Sequence, residues 1–347
     1  MTHNEVDSHA IGLLRFPLIV GVVTLHAVFD LPEGLKAFDF AEHLVKELGH
    51  VAVPLFFLFS GYLFFKGLEK RFSWAVFRGK LHRRVRSLLV PYVLWNALFL
   101  LFLLALQLLF PGLLRSHSPI LSYGVGDWLN SFWNYNGQLY GYPVLYAFWF
   151  LRNLMVLNVL SPLLWLVLKH GGRLAMGFVC GFFAVGSLFF VQQGIDWTLS
   201  VCFYMLGAWL RMSGLTVVRN VGYGHLLWVS ALAMLVFFMA FRQPVFHNFY
   251  LLAAVLALPQ TVGRVVERRG WQPNRWMAPA TFFVFAAHVF IMPFFNRAWT
   301  IWLPATDVTA IAMLLVVPAM TVAFCLVGFY ALCRYTPWVI KVLVNRA

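Results

Sequence analysis

Long apolar runs separated by short polar breaks repeat from one end of the chain to the other, beginning with LLRFPLIVGVVTLHAVFD at Leu13–Asp30. The runs are continuous and do not alternate apolar with polar residues, so they predict helices and exclude a transmembrane barrel. Ten of them have the ~17–25 residues needed to cross a hydrocarbon core. They fall at approximately 11–30, 50–66, 88–110, 144–168, 174–191, 196–211, 222–241, 248–263, 279–296 and 308–333. The expected fold is all-α: a polytopic integral membrane protein with about ten spans, forming a single transmembrane domain over 1–347. Its two distinctive connections are a basic inner loop at about 67–87 and an outer aromatic loop at about 111–143.

Loop charge orients this map. The first ten residues, MTHNEVDSHA, are polar and acidic, unlike the basic start of a secretory signal, and are expected to stay on the synthesis side. With the N-terminus inside, nineteen of the 26 lysines and arginines fall in inner loops and the C-terminal tail. A missed span would switch the side of every later loop and destroy that bias, so the topology is N-in and C-in. The net charge of +14 is then mostly cytoplasmic-face charge facing membrane lipids, not a nucleic-acid surface. Cys180, Cys202, Cys325 and Cys333 lie in apolar runs without metal-ligand spacing and read as packing residues, so no metal is expected.

The informative residues are polar ones that hydrocarbon should reject. Arg15 and His26 share the first span, eleven residues apart. That separation is about 16 Å of rise and returns to within about 20° of the same face. Pro17 is the place where a kink would misalign them. Arg152, in YAFWFLRNLMVLNVL, is expected within about 5 Å of the depth of His26 and needs a partner or water there. His288 falls near mid-membrane in the ninth span. In the second span, Ser60 and Gly61 permit close helix approach, and Tyr62 can hydrogen-bond across the bundle.

The inner loop KGLEKRFSWAVFRGKLHRRVRSLLVPY is the densest charge cluster, with Lys80, Arg83, Arg84 and Arg86 grouped on a helical spacing suited to phosphate. Ordinary orienting charge and anionic-lipid binding are the alternatives. The outer loop interleaves aromatics, Trp128 and Trp133 among them, with amides such as Asn136 and Gln138. That composition suits a sugar-gripping surface or an interfacial aromatic belt equally.

Taken in order, these residues resemble the membrane-bound acyltransferase-three family. The resemblance rests on Arg15 followed by His26 after ten residues, FFLFSGYLF in the second span, Arg83-Arg84-Val85-Arg86, WFLRNLMVLNVLSPLL at 149–164 and a late histidine at His288. FVFAAH lacks the tyrosine that usually precedes that histidine. The chain is expected to lack the extracytoplasmic domain that some members carry. It thus resembles the short single-domain branch, which includes an enterobacterial common antigen O-acetyltransferase.

The resemblance implies transfer of an acyl group, most simply acetyl, in a bacterial inner membrane. The donor is a cytoplasmic acyl-CoA, and the acceptor is a hydroxyl of an envelope glycan or lipid-linked glycan. On this reading Lys80, Arg83, Arg84 and Arg86 hold the CoA phosphates. His26, Arg15 and Arg152 are catalytic, with His26 either general base or transient acyl carrier. Ser60, Tyr62, Trp128, Trp133 and His288 contact substrate. The rivals are a secondary transporter or exporter of a polar solute, lined by Arg15, His26, Arg152 and His288, and a non-catalytic binder of lipid-linked glycan.

Overall fold

The computed structural model describes residues 3–27, 31, 34–110, 120–135, 141–186, 188 and 195–344. Val28–Asp30 of the expected first span, the break at 192–194 and parts of the outer loop, with Arg115, Asn136, Gln138 and Tyr140, lie outside the described residues. Every regular element among the described residues is helical. Among the described residues, eight helical stretches are long and apolar enough to cross a membrane. The chain is an all-α polytopic membrane protein.

The N-terminal helix α1 (His3–Leu25) runs through Pro17 without interruption. Helix α2 (Lys36–His50) and helix α3 (Ala52–Phe64) meet at Val51, whose backbone is itself helical, and form one 29-residue stretch. The expected second span is therefore only the inner part of a longer one. Its outer part carries Lys36, Asp39, Glu42, Lys46 and Glu47, and so does not read as apolar. Helix α4 (Trp74–Arg84) is capped by the Ser73 side chain and passes through a π turn at Val85–Leu89 into helix α5 (Val90–Leu109). Pro91 has no N–H to return to Ser87, so the ladder slips a register just before it, with Val90 N–H donating to the Val85 carbonyl.

Short helix α6 (Val125–Asn130) lies in the outer segment. In α7 (Trp149–Gly186) the helical path is broken at Gly172, whose φ of 51° suits glycine, so its two arms supply the fourth and fifth expected spans. Hydrogen bonds place the break and the far end of the second arm at opposite ends of the bundle: Trp165, shortly before Gly172, donates to the Leu68 carbonyl, while Asn248 donates to that of Phe183. Helices α8 (Ile195–Met212), α9 (Gly224–Phe241), α10 (Pro244–Arg269), α11 (Met277–Trp302) and α12 (Asp307–Tyr335) follow, and the short α13 (Pro337–Val344) ends the described chain.

The basic connections gather at one end of the bundle, joined by Arg211–Glu69 at 2.6 Å and Arg219–Glu267 at 3.0 Å. Burial resists ionisation of Glu69. Backbone N–H groups and Arg211 outweigh it and hold the carboxyl below the usual glutamate value. The opposite end carries contacts such as Phe38 N–H to Asp307 at 2.9 Å.

The tightest helix contact joins α3 to α8. A Cβ on Gly61 would lie 2.1 Å from the Tyr204 carbonyl oxygen, and one on Gly207 would lie 2.0 Å from that of Leu58. The two glycines let the backbones touch, as Ser60-Gly61 predicted. Replacing either Gly61 or Gly207 with Ala is expected to cost about 1–3 kcal/mol through overpacking. Gly177→Ala, with no atom within 4 Å of its Cβ, should be neutral or slightly stabilising. Thermal unfolding of the three variants in detergent checks this, and equal midpoints would show that the α3–α8 contact is loose.

Candidate active site

Helix α1 presents Arg15, Ile19 and Val22, and the turn after it His26, to one cavity of about 300 Å³. Steps of four, three and four residues keep a single face, so the alignment predicted from spacing holds despite Pro17. The other walls come from Val53, Phe56 and Ser60 on α3, Arg84 and Leu88 at the π turn, Trp149 and Phe150 on α7, and Ala278 to Phe285 on α11. These walls are largely apolar, with Phe56, Trp149, Phe150, Phe282 and Phe285 supplying aromatic rings and Ser60 a hydroxyl.

The two guanidiniums set the polarity of the cavity. Arg15 stays accessible toward the basic end, and Arg84 also lines a second pocket of about 260 Å³ with Lys80, Arg83 and Ser87. Arg84 is thus common to both spaces. Among the described residues none of Arg15, Lys80, Arg83 and Arg84 has a carboxylate partner. Lys80 instead reaches the Leu63 carbonyl at 3.4 Å and lies over the Phe64 ring, while Arg83 donates to its own helix at Gly79. Four cations without an ion-pair contact among the described residues, around adjoining pockets, favour an anionic ligand.

His26 lies one residue past the end of α1. Its ring meets Tyr146 edge-on at 4.8 Å and stacks on His288 at 5.3 Å. His288 is fully buried, with Nδ1 2.7 Å from the Phe285 carbonyl, which makes Nδ1 the donor and leaves Nε2 an acceptor with no hydrogen-bond partner. The late histidine therefore stands behind His26 and does not itself line the cavity.

Several expected site residues lie elsewhere. Arg152 is buried, but its guanidinium is turned onto the outer segment, donating to the carbonyls of Trp133, at 2.7 Å, and Gly141 and to Asn153. Trp133 and Trp197 lie over it at 5.3 and 5.5 Å. Its depth suggested a place beside His26, but those carbonyls draw it away. Tyr62 faces α1 and α8, donating to Asp7 at 2.7 Å and accepting from Arg211 at 3.2 Å. Arg86 is exposed and lines neither pocket, because the π turn rotates it off the face that Arg83 and Arg84 share. Trp128 packs with Tyr123 in a small cluster on α5, and Trp133 covers Arg152, so neither reaches the cavity.

Sequence reasoning missed Ser87, which completes the cationic pocket, and the aromatic walls Phe56, Trp149, Phe150, Phe282 and Phe285. The only signal for them was their spacing around motif residues already singled out.

The pinning of Arg152 is testable. Arg152→Met should free the carbonyls of Trp133 and Gly141 and raise hydrogen exchange at 131–135 and 141–145. The cost should be about 1.5–3 kcal/mol for each charged hydrogen bond lost. Unchanged exchange there would show that the outer segment is held by other contacts.

The acyltransferase-three family model, described as an acyltransferase domain, matches residues 8–332. The succinoglycan biosynthesis protein ExoH of Rhizobium meliloti (strain 1021) is 28% identical over 182 residues, which is 49% of this chain and 45% of that protein. The chain thus spans less than half the length of that relative. No solved structure matches. With the family model covering nearly all of the helices that build the cavity, the chain belongs to the acyltransferase-three family.

Proposed function

We propose that this chain transfers an acyl group, acetyl in the simplest case, from cytoplasmic acyl-CoA to a hydroxyl of an envelope glycan or lipid-linked glycan. Its place is the bacterial inner membrane, where donor and acceptor meet from opposite faces. The observation that carries this reading is the set of unpaired cations at the basic end, opening onto a cavity that follows one face of α1 to His26. The glycan acceptor is supported by the name of the related succinoglycan protein.

The residues fit the donor's chemistry. Lys80, Arg83 and Arg84 hold its phosphates, with Arg15 at the inner end of the α1 face. The apolar walls of Phe56, Phe150 and Phe282 suit an uncharged arm and exclude water from the thioester. His26 is the general base. It takes the proton of the acceptor hydroxyl as that oxygen bonds to the thioester carbonyl carbon. The carbon–sulfur bond then breaks, and the departing thiolate recovers the proton from the imidazolium. His288, stacked behind, holds the ring in place as a positioning residue. The transport alternative needs Arg152 on the same path, and that guanidinium is already committed to the outer segment.

Two experiments test this reading. His26→Ala should lower acyl transfer from acyl-CoA by about 10²–10⁴-fold in correctly folded, purified protein; undiminished transfer would falsify the assignment. Arg83→Ala and Arg84→Ala should weaken acyl-CoA binding by about tenfold or more each, as expected for lost charged hydrogen bonds. Arg86→Ala should leave binding close to normal. Equal losses at all three positions would mean that the cluster acts through bulk charge and not through the pocket.

A further inference from the structure

A second polar cluster lies outside the acyl-transfer cavity. Glu47 and His50, three residues apart on α2, converge with His247 on α10, 200 residues away in sequence. His247 Nδ1 lies 2.5 Å from one Glu47 carboxylate oxygen, and His50 Nδ1 lies 3.3 Å from the other. The two imidazoles stand perpendicular at 5.2 Å, and one donor atom from each of the three residues falls within 4.8 Å of the others. Glu47 is only 6% exposed. The Nδ1 of His50 is buried and, despite its nearness to the carboxylate, is not in hydrogen-bonding geometry with it or with anything else.

We propose that Glu47, His50 and His247 form a divalent-cation site of the zinc type that clips α2 to α10. A buried carboxylate approached by two ring nitrogens, one of them orphaned, is the arrangement a cation completes, since it gives every inward-facing lone pair a partner. Metal–nitrogen bonds of about 2.0–2.1 Å in a tetrahedron put neighbouring donors about 3.3 Å apart, within the spread seen here. Two imidazoles and one carboxylate suit zinc and disfavour calcium or magnesium, which take mostly oxygen. Three protein ligands leave a fourth position for water or another small donor. His50 is one helical turn before Val53, which lines the cavity, so the site adjoins the acyl-transfer chamber without sharing its residues. The proposal stands independently of the reaction assigned to that chamber.

Zinc alone is the probe. Full-length protein, purified in detergent with any affinity tag removed and stripped with chelator, should take up about one zinc per chain and unfold at a higher temperature when loaded. Glu47→Gln and His247→Ala should each weaken uptake by more than about tenfold, while His26→Ala and His288→Ala leave it unchanged. X-ray absorption at the zinc edge of the wild-type protein, which needs no variant to fold, should show two imidazoles and no sulfur. Absence of saturable uptake, uptake that survives both ligand substitutions, uptake lost with His26 or His288, or a spectrum without imidazole would each overturn the proposal.

Discussion

A guanidinium cannot shed its charge inside a helical membrane bundle, so each one below the surface must face dipoles, a carboxylate or a ligand. This fold meets that constraint differently at its two ends. Arg152 faces the carbonyls of Trp133 and Gly141 with two indole rings beside it, and by doing so fastens the outer segment. Arg211, at the basic end, is met by Glu69 and by the face and hydroxyl of Tyr62, which in turn donates to Asp7. Arg15 and Arg84 have neither arrangement and stand where two pockets adjoin. The same chemistry is thus structural where the backbone supplies oxygen and available for binding where it does not.

That distinction governs what could be read from the sequence. The face shared by Arg15 and His26 was legible because helical spacing is arithmetic and α1 stays continuous through Pro17. Gly61 was legible as a close-contact residue because a missing side chain in an apolar run has few other uses. Arg152 was conspicuous for its depth, but depth does not give direction, and the carbonyls that capture it belong to residues 11 and 19 positions earlier. Tyr62 was likewise visible as a bridging residue, while the identity of its partners, Asp7 and Arg211, required the fold.

The largest misreading was in the second span, and its cause is compositional. Hydropathy finds α3 but rejects α2, where Lys46 pairs with Glu42 and Glu47 meets His247. These polar groups satisfy one another inside the bundle, so the helix tolerates them, yet a sequence window counts them as a loop. The Glu47, His50 and His247 cluster was invisible for the same reason, because its members reach one another only when α2 packs beside α10. The π turn at Val85–Leu89 was equally hidden. Pro91 announces a disturbed ladder without saying which arginine the slipped register turns inward.

The position of His26 follows from where α1 stops. The helix ends at Leu25, and its last turns are packed closely against α2, with a Cβ on Gly49 falling 3.0 Å from Leu25 and 3.2 Å from the Gly21 carbonyl oxygen. That contact lets the acidic and basic residues of α2 continue past the end of α1, so His26 is enclosed by protein and not left at a membrane surface. Its ring then stacks on His288, eleven residues into α11, or about 16 Å along that helix. A reacting group there lies a similar distance from Arg15 and from the start of α11. The proposed function thus sets two demands apart, with charge gathered at the basic end and a proton transferred at His26. The separation between those two demands is the length of α1 from Arg15 to His26, and substitutions that alter the rise of that helix act on both at once.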